Sequence, residues 1–153
     1  EKGEGMLCGS VAKSLALIHA ETIDSEFVPT RPFRVNAGGI HSYIMMGDHS
    51  TRYLSELKSG NEVLIVNQEG NTRIVNIGRI KLEKRPLIRI EWNTSNDTFG
   101  NVILQQAETV RLLDENMMPI SITEIKKDMK ILIHNSTYSR HIGTPINTFS
   151  QEY

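Results

Sequence analysis

Within thirteen positions, from Arg31 through Pro32, Phe33, Arg34, Val35, Asn36, Ala37, Gly38, Gly39, Ile40, His41 and Ser42 to Tyr43, the chain sets two arginines, an asparagine, a histidine and a tyrosine. Packing alone rarely needs that mixture. The guanidinium groups of Arg31 and Arg34 suit bidentate capture of a carboxylate or phosphate. Pro32 fixes its own φ and pushes Arg31 towards an extended conformation. Gly38-Gly39 opens backbone angles closed to other residues and lets a ligand approach the main chain.

A second group lies just upstream. Alternation from Leu15 puts Leu17 and His19 on one side of a strand with Glu21 next along it. Two histidines and a carboxylate, His19, His41 and Glu21, form a set that first-row divalent metals accept. The metal-free reading of the same trio has Glu21 orienting the His41 imidazole, which then acts as a base near neutral pH. Structural readings stand beside these. Arg31 or Arg34 can pair with Asp24 or Glu26 across the loop, and His41 and Tyr43 can be rim residues of a sheet. His49 and His134 are read as surface and sheet residues, and Lys81, Glu83 and Arg85 as a solvated strand face.

The elements that must position these groups are short. Gly3 to Ser10 has a glycine spacing loosely like a phosphate-binding turn. A dinucleotide fingerprint needs strand, turn and helix in order, so a turn between two strands is expected instead. Leu15–Ile18 reads as a buried strand, residues 23–31 as a loop, and Ile40 to Met45 as a strand carrying His41 and Tyr43 together. A turn at Gly47–Ser50 follows, then a tight helical turn from Tyr53 closed by Gly60. Glu62–Asn67 is a strand, Gln68–Asn71 a hairpin loop, and Thr72–Glu83 a long strand bent at Gly78. Leu87–Trp92 returns as a strand, and the polar stretch Asn93–Gly100 is expected to be disordered.

From Val102 the pattern comes round again, with strands at Val102–Gln105 and Glu108–Leu113 and a turn at Asp114–Asn116. Ser121–Lys126 echoes Tyr53–Lys58, and the offset of 68 (125 − 57) also lays Ile131–Ile133 on Val63–Ile65. It sets Thr109 at the place of His41 and Arg111 at that of Tyr43. The expected architecture is mainly β: two related small units, tandem half-barrel-like sheets, with only short helical turns. Residues 1–50 hold the first strands and the Arg/Gly-rich loop, 35–67 the first copy, 68–102 a long hairpin, 103–135 the second copy and 136–153 a tail. Together they read as one compact domain cut from a longer chain.

Composition narrows the partners. Seventeen basic and 18 acidic residues leave a net charge of −1 in 153 residues, without the electrostatic footprint of a nucleic-acid or acidic-membrane binder. An apolar fraction of 39% fits a globular protein, and no apolar run approaches the roughly 20 residues of a membrane span. The single cysteine, Cys8, rules out an internal disulfide framework and suits a reducing cytoplasm, where it is expected as a small buried hydrophobe.

The run RPFRVNAGGIHSY, preceded by IHAET and followed by YLSELKSGNEVLIV, resembles the archaeal-type 3-dehydroquinate synthase, dehydroquinate synthase II. GRIKLEKRPL, ILQQAETVRLLD, PISITEIK and the late Arg140-His141 extend the resemblance from Gly3 to about Gly143. It covers the carboxy-terminal part of that family, and the absence of an initiator Met at Glu1 fits a partial chain whose first partner is the missing amino-terminal half. The resemblance implies conversion of a linear seven-carbon 2-amino-6-oxo sugar acid into 3-dehydroquinate, in aromatic amino acid (shikimate) biosynthesis. The chemistry implied is NAD-dependent oxidative deamination followed by intramolecular carbon–carbon closure, with the nicotinamide site mostly outside these residues. Closure needs a cationic grip on a carboxylate, a base for a proton α to a ketone, and donors for the enolate oxygen. Arg31 and Arg34 fit the grip, with Arg140 and His141 as further substrate contacts. His41 or Glu21 fits the base, and Asn36 or Tyr43 the donor.

Two alternatives remain open. Val11-Ala12-Lys13-Ser14 and the tail after Gly143 depart from the family pattern and flank the presumed site. A sister group with a divalent metal and without NAD makes 3-amino-4-hydroxybenzoate from a related amino-keto phosphosugar acid. The other alternative is a non-catalytic β module that completes another chain.

Overall fold

The computed structural model describes residues 3–24, 29–31 and 34–136, together with the backbone of 139–141 and 144–146. Its strands are β1 (Glu4–Val11), β2 (Ser14–His19), β3 (Tyr43–Met45), β4 (Thr51–Tyr53), β5 (Glu62–Asn67), β6 (Thr72–Asn76) and β7 (Leu87–Asn93). They continue with β8 (Phe99–Gln105), β9 (Arg111–Leu113), β10 (Pro119–Ser121), β11 (Ile133–Asn135), β12 (Ser139–His141) and β13 (Thr144–Ile146). The one helical element among the described residues is a three-residue 3-10 turn, Leu54–Glu56, so no helix there is long and apolar enough to cross a membrane. The protein is mainly β.

β1 and β2 form the central hairpin, with Leu7 opposite Leu17 and Cys8 opposite Ala16. The far edge of β1 is shared: Glu4–Met6 pair with β5, while Cys8 and Gly9 pair with β3. Hydrogen bonding thus joins β11-β2-β1-β3-β4, with β5 and β6, in one seven-stranded sheet; β7–β8, β9–β10 and β12–β13 are two-stranded ribbons. The expected half-barrel-like units are not marked out as separate sheets. Leu57 and Ile125, the residues that set the sequence offset, pack against the same main core.

That core is made by alternation. Every residue of β2 is buried, so both of its faces are covered. Cys8, Ala16, Ile18, Ile44, Val102, Leu104 and Leu112 form the larger cluster, and Leu7, Leu15, Leu17, Met45, Leu64 and Leu113 the smaller. A buried polar chain crosses it: Trp92 Nε1 donates to Ser14 Oγ at 2.8 Å, and Ser14 Oγ donates to Asn135 Oδ1 at 2.7 Å. Trp92 fits because Gly100 lies opposite it; a Cβ there would stand 2.4 Å from the indole nitrogen. Burial pushes the Cys8 thiol up to about 12, so it is a packed hydrophobe.

Three local expectations are corrected. Gly5 and Gly9, expected in a turn, lie inside β1, where Gly5 lets the hairpin close: a Cβ would sit 2.0 Å from the Ile18 carbonyl oxygen. The long strand from Thr72 stops at Asn76, because its partner β5 starts at Glu62, opposite Asn76. The stretch expected to be disordered is a hairpin turn. Thr94 N donates to Thr98 O at 3.0 Å, the Thr94 hydroxyl accepts from Thr98 N at 3.2 Å, and Asp97 takes φ 55°.

Candidate active site

Strand β2 ends at His19 because its partner runs out: Ala20 N makes the last bond to Glu4 O at 2.8 Å, and Gly3 turns away at φ +82°. Glu21 therefore leaves the strand and does not share a face with His19. It joins the Arg-rich segment instead. Glu21 N donates to Arg34 O and Arg31 N to Glu21 O, both at 2.8 Å, and Arg34 Nε lies 3.5 Å from Glu21 Oε1. Glu21 is 6% exposed, so a buried carboxylate is compensated by a half-buried guanidinium. Asp24, offered as an arginine partner, instead accepts from Thr30 N at 3.3 Å. Glu26, Pro32 and Phe33 lie outside the described residues.

Arg31 is exposed, and no side-chain ion pair engages it among the described residues. Further on, Asn36 Nδ2 donates to Gln105 Oε1 at 2.7 Å, and Gly39 N donates to Ile103 O at 2.9 Å. Segment 36–39 thus runs antiparallel along β8. Gly38 takes φ +100°, and a Cβ there would lie 2.4 Å from the Ile103 carbonyl oxygen. Gly38 thus serves the approach of two backbones, a packing need that accounts for it without a ligand, whereas a Cβ on Gly39 would meet the His41 imidazole.

His41 falls in a turn closed by Ser42 N donating to Gly39 O at 2.9 Å, so the strand begins at Tyr43, later than the alternation predicts. The His41 imidazole is exposed and leans over Gly39. Tyr43 pairs across the β3–β4 ribbon with Tyr53, which the sequence reading missed. The rings stack at 4.7 Å between centroids, and the hydroxyls are 3.0 Å apart. Hairpin counting across the Gly47–Ser50 turn is the signal that would have found Tyr53. Gln105 was likewise missed; only tertiary packing brings it to Asn36.

His19 is buried, and its Nε2 accepts from Gly3 N at 2.9 Å, a structural task at the mouth of β1. No three His, Cys, Asp or Glu side chains group as a metal site among the described residues, so the His19–Glu21–His41 set is not assembled there. Arg140 and His141 lie in β12, opposite Pro145 and Thr144 of β13, and their side chains are outside the described residues. Val11–Ser14 is the turn at the other end of β2 from Glu21, and it lies just beyond the Gly9–Tyr43 pair of the β1–β3 ladder, so it flanks His41 and Tyr43 but not the Arg-rich segment. A shallow depression lined by Met46, Asp48, Arg52, Gly60, Asn61 and Glu62 contains none of the candidate residues.

The structure therefore brings Glu21, Arg31 and Arg34 together, lines Asn36 up with β8, and sets Tyr43 on Tyr53 beside an exposed His41. The model of the 3-dehydroquinate synthase II C-terminal domain matches residues 1–153. The chain belongs to the 3-dehydroquinate synthase II family. A relative named 3-dehydroquinate synthase from Methanocaldococcus jannaschii is 50% identical over 144 residues, 94% of this chain and 40% of the relative. Those of the same name from Methanococcus vannielii and Methanobrevibacter smithii are 48% and 49% identical, over 96% and 95% of the chain and 40% and 39% of their own lengths. No solved structure matches the chain significantly. As a 3-dehydroquinate synthase II C-terminal domain, the chain spans about 40% of the length of the curated relatives it matches.

Proposed function

We propose that this domain supplies a carboxylate grip at Arg31 and, roughly 20 Å further along β1, a cyclisation face at His41 and Tyr43 to a dehydroquinate synthase II-type enzyme. Such an enzyme would act on a 2-amino-6-oxo seven-carbon sugar acid and form 3-dehydroquinate for aromatic amino acid biosynthesis in the cytoplasm. The carrying observation is Arg31, an exposed guanidinium with no ion pair among the described residues, set beside an Arg34 whose charge is already held by Glu21. A substrate carboxylate gives Arg31 the charge-assisted partner it lacks. Glu21, tied to Arg34, is a positioning residue in this reading and not the base.

His41 is the base. Its exposed imidazole takes the proton α to the ketone, the enolate carbon attacks the second carbonyl to form the new carbon–carbon bond, and the resulting alkoxide takes a proton back from the imidazolium. The Tyr43 hydroxyl, hydrogen-bonded to that of Tyr53, donates to the enolate oxygen. The family resemblance brings NAD as the oxidant of the deamination. The described residues contain no glycine-rich turn opening a helix of the kind that cradles a dinucleotide pyrophosphate, and no step is assigned to NAD here. The metal-dependent aminohydroxybenzoate reading finds no donor set among the described residues. The reading as a β module completing another chain is favoured by one observation, the 40% coverage of the relatives.

The test is Arg31→Ala in an enzyme of full family length carrying this chain as its carboxy-terminal domain. Loss of one charge-assisted hydrogen bond, roughly 1.5–3 kcal/mol, raises KM about ten- to a hundredfold with an unchanged melting temperature. KM and kcat both within about twofold of wild type would remove Arg31 from the substrate site.

A further inference from the structure

Beyond Asn76 the chain has no ladder partner until Leu87. Both ends of this excursion are fixed. Gly60 N donates to Ile77 O at 2.7 Å, Ile77 N to Asn61 O at 2.9 Å, and Ser59 Oγ to Gly78 O at 2.9 Å. At the other end, Gln106 N donates to Pro86 O at 3.0 Å. Between them, residues 79–85 are all exposed and make no backbone hydrogen bond to any described residue.

The arm has two unlike sides. Glu83 Oε1 lies 2.8 Å from Lys81 Nζ and 3.2 Å from Arg85 Nη2, an every-second-residue spacing that puts the three on one side of an extended backbone. Ile80 and Leu82 fall on the other side, 38% and 71% exposed. Ile74 on β6 and Leu87 on β7 flank the arm, 54% and 50% exposed. Open N–H and C=O groups beside an apolar row make an edge that pairs with another strand.

We propose that residues 78–84 pair antiparallel with the same arm of a second copy of this chain, about a two-fold axis through Lys81. Charge and apolar pattern are both self-complementary in that register. Ile80 faces Leu82 of the second copy and Leu82 its Ile80, so four apolar side chains close over one another. Arg79 faces Glu83 of the second copy, and the reverse. The two Lys81 groups meet at the axis, each beside its own Glu83. Pairing about Leu82 instead would set Lys81 against Glu83 twice, but it would also set Arg79 against Arg85 and Ile80 against Lys84 twice each and lose the Ile–Leu contacts. A formal charge of −1 per chain leaves little repulsion between copies.

Sedimentation velocity on the 153-residue chain, from micromolar to hundreds of micromolar, reads the association directly. Wild type shows a concentration-dependent monomer–dimer equilibrium. Leu82→Glu raises its midpoint concentration by about tenfold or more, with the melting temperature unchanged because Leu82 is outside the core. Arg79→Glu and Glu83→Arg each weaken the dimer, and the double variant recovers it by re-forming the pair in reverse. A wild-type chain that stays monomeric throughout overturns the proposal, leaving the arm to another partner such as the rest of a full-length family enzyme. A dimer indifferent to Leu82→Glu also overturns it, as does a double variant no tighter than the singles.

Discussion

The stretches 43–63 and 111–131 share a backbone and differ in almost everything attached to it. Tyr43, Ile44 and Met45 face Tyr53, Arg52 and Thr51; 68 residues on (111 − 43), Arg111, Leu112 and Leu113 face Ser121, Ile120 and Pro119. The bridge Met46 to Val63 recurs as Asp114 to Ile131. Met46 N to Ser50 O and Asp114 N to Met118 O are both 2.9 Å, and the left-handed residues His49 (φ 63°) and Met117 (φ 61°) close the same turn. Even the Asn61 amide oxygen that accepts from Lys58 N has a counterpart in the Met129 sulfur, which accepts from Lys126 N. That shared geometry supports reading the two as copies.

The chemistry does not follow. The first stretch stacks Tyr43 on Tyr53 beside His41. The second sets Arg111 across from Ser121, whose hydroxyl is 2.8 Å from that of Thr123, and leaves Arg111 Nη1 buried without a hydrogen-bond partner among the described residues. Ladder register and turn conformation are thus fixed by apolar spacing and by positions that accept positive φ, while the outward side chains are free to diverge.

The largest stability effect that separates the two stretches lies at Gly38, which precedes the first one. Gly38→Ala meets both the positive φ and the Ile103 carbonyl, and should lower stability by about 2–4 kcal/mol. Ala107→Gly, 68 residues after Gly39, meets no such contact and should cost about 1 kcal/mol or less. Denaturant unfolding of both variants checks this, and equal losses would mean that the approach to β8 is not special to the first stretch.

Acid should act unevenly as well. Arg73 holds Glu4 through two 2.8 Å hydrogen bonds at the junction of β1, β5 and β6, and pulls its carboxyl from 4.5 down to about 2. A carboxyl lowered on folding stabilises above its unfolded pKa, and that contribution is lost as pH falls from about 4.5 towards 2. With Arg73 partly solvated, we expect about 1–2 kcal/mol from the pair. Hydrogen exchange on β5 and β6 should quicken below about pH 4 before that on β9 and β10, and Glu4→Gln should flatten the difference.

The smallest effect sharpens the comparison at the turn ends. Gly60 and Asp128 hold equivalent positions at φ 89° and 69°. Asp128→Gly relieves a left-handed aspartate and should stabilise by up to about 1 kcal/mol, whereas Gly60→Asn should cost less than about 1 kcal/mol, since nothing lies within 4 Å of an added Cβ. Thermal melts resolve both signs.

The parts of this fold legible in the sequence were those decided locally. Val63–Val66 between turn residues reads as β5, and Gln68–Asn71 as its loop, because apolar alternation and turn chemistry act over a few residues. What stayed hidden was partner-dependent. Nothing near Asn76 says that β5 has no more residues to offer, and nothing near Glu21 says that Glu4 is the last partner of β2. The site was legible as a segment but not as geometry. Arg34 with Glu21, Asn36 with Gln105 and Tyr43 with Tyr53 are contacts made across 10 to 69 residues. The same limit made His19, Glu21 and His41 look like one set when they serve three different places.

The central claim, that the working face lies on the first stretch and the second is scaffold, is tested most directly by steady-state kinetics on two variants of a full-length family enzyme carrying this domain. Tyr43→Phe should lower kcat about ten- to a hundredfold by removing one donor to the enolate oxygen, with the fold intact. Arg111→Met, at the equivalent place, should leave kcat and KM within about twofold. A silent Tyr43→Phe beside an Arg111→Met that raises KM tenfold would contradict the account and move the substrate to the Arg111 guanidinium of the second stretch.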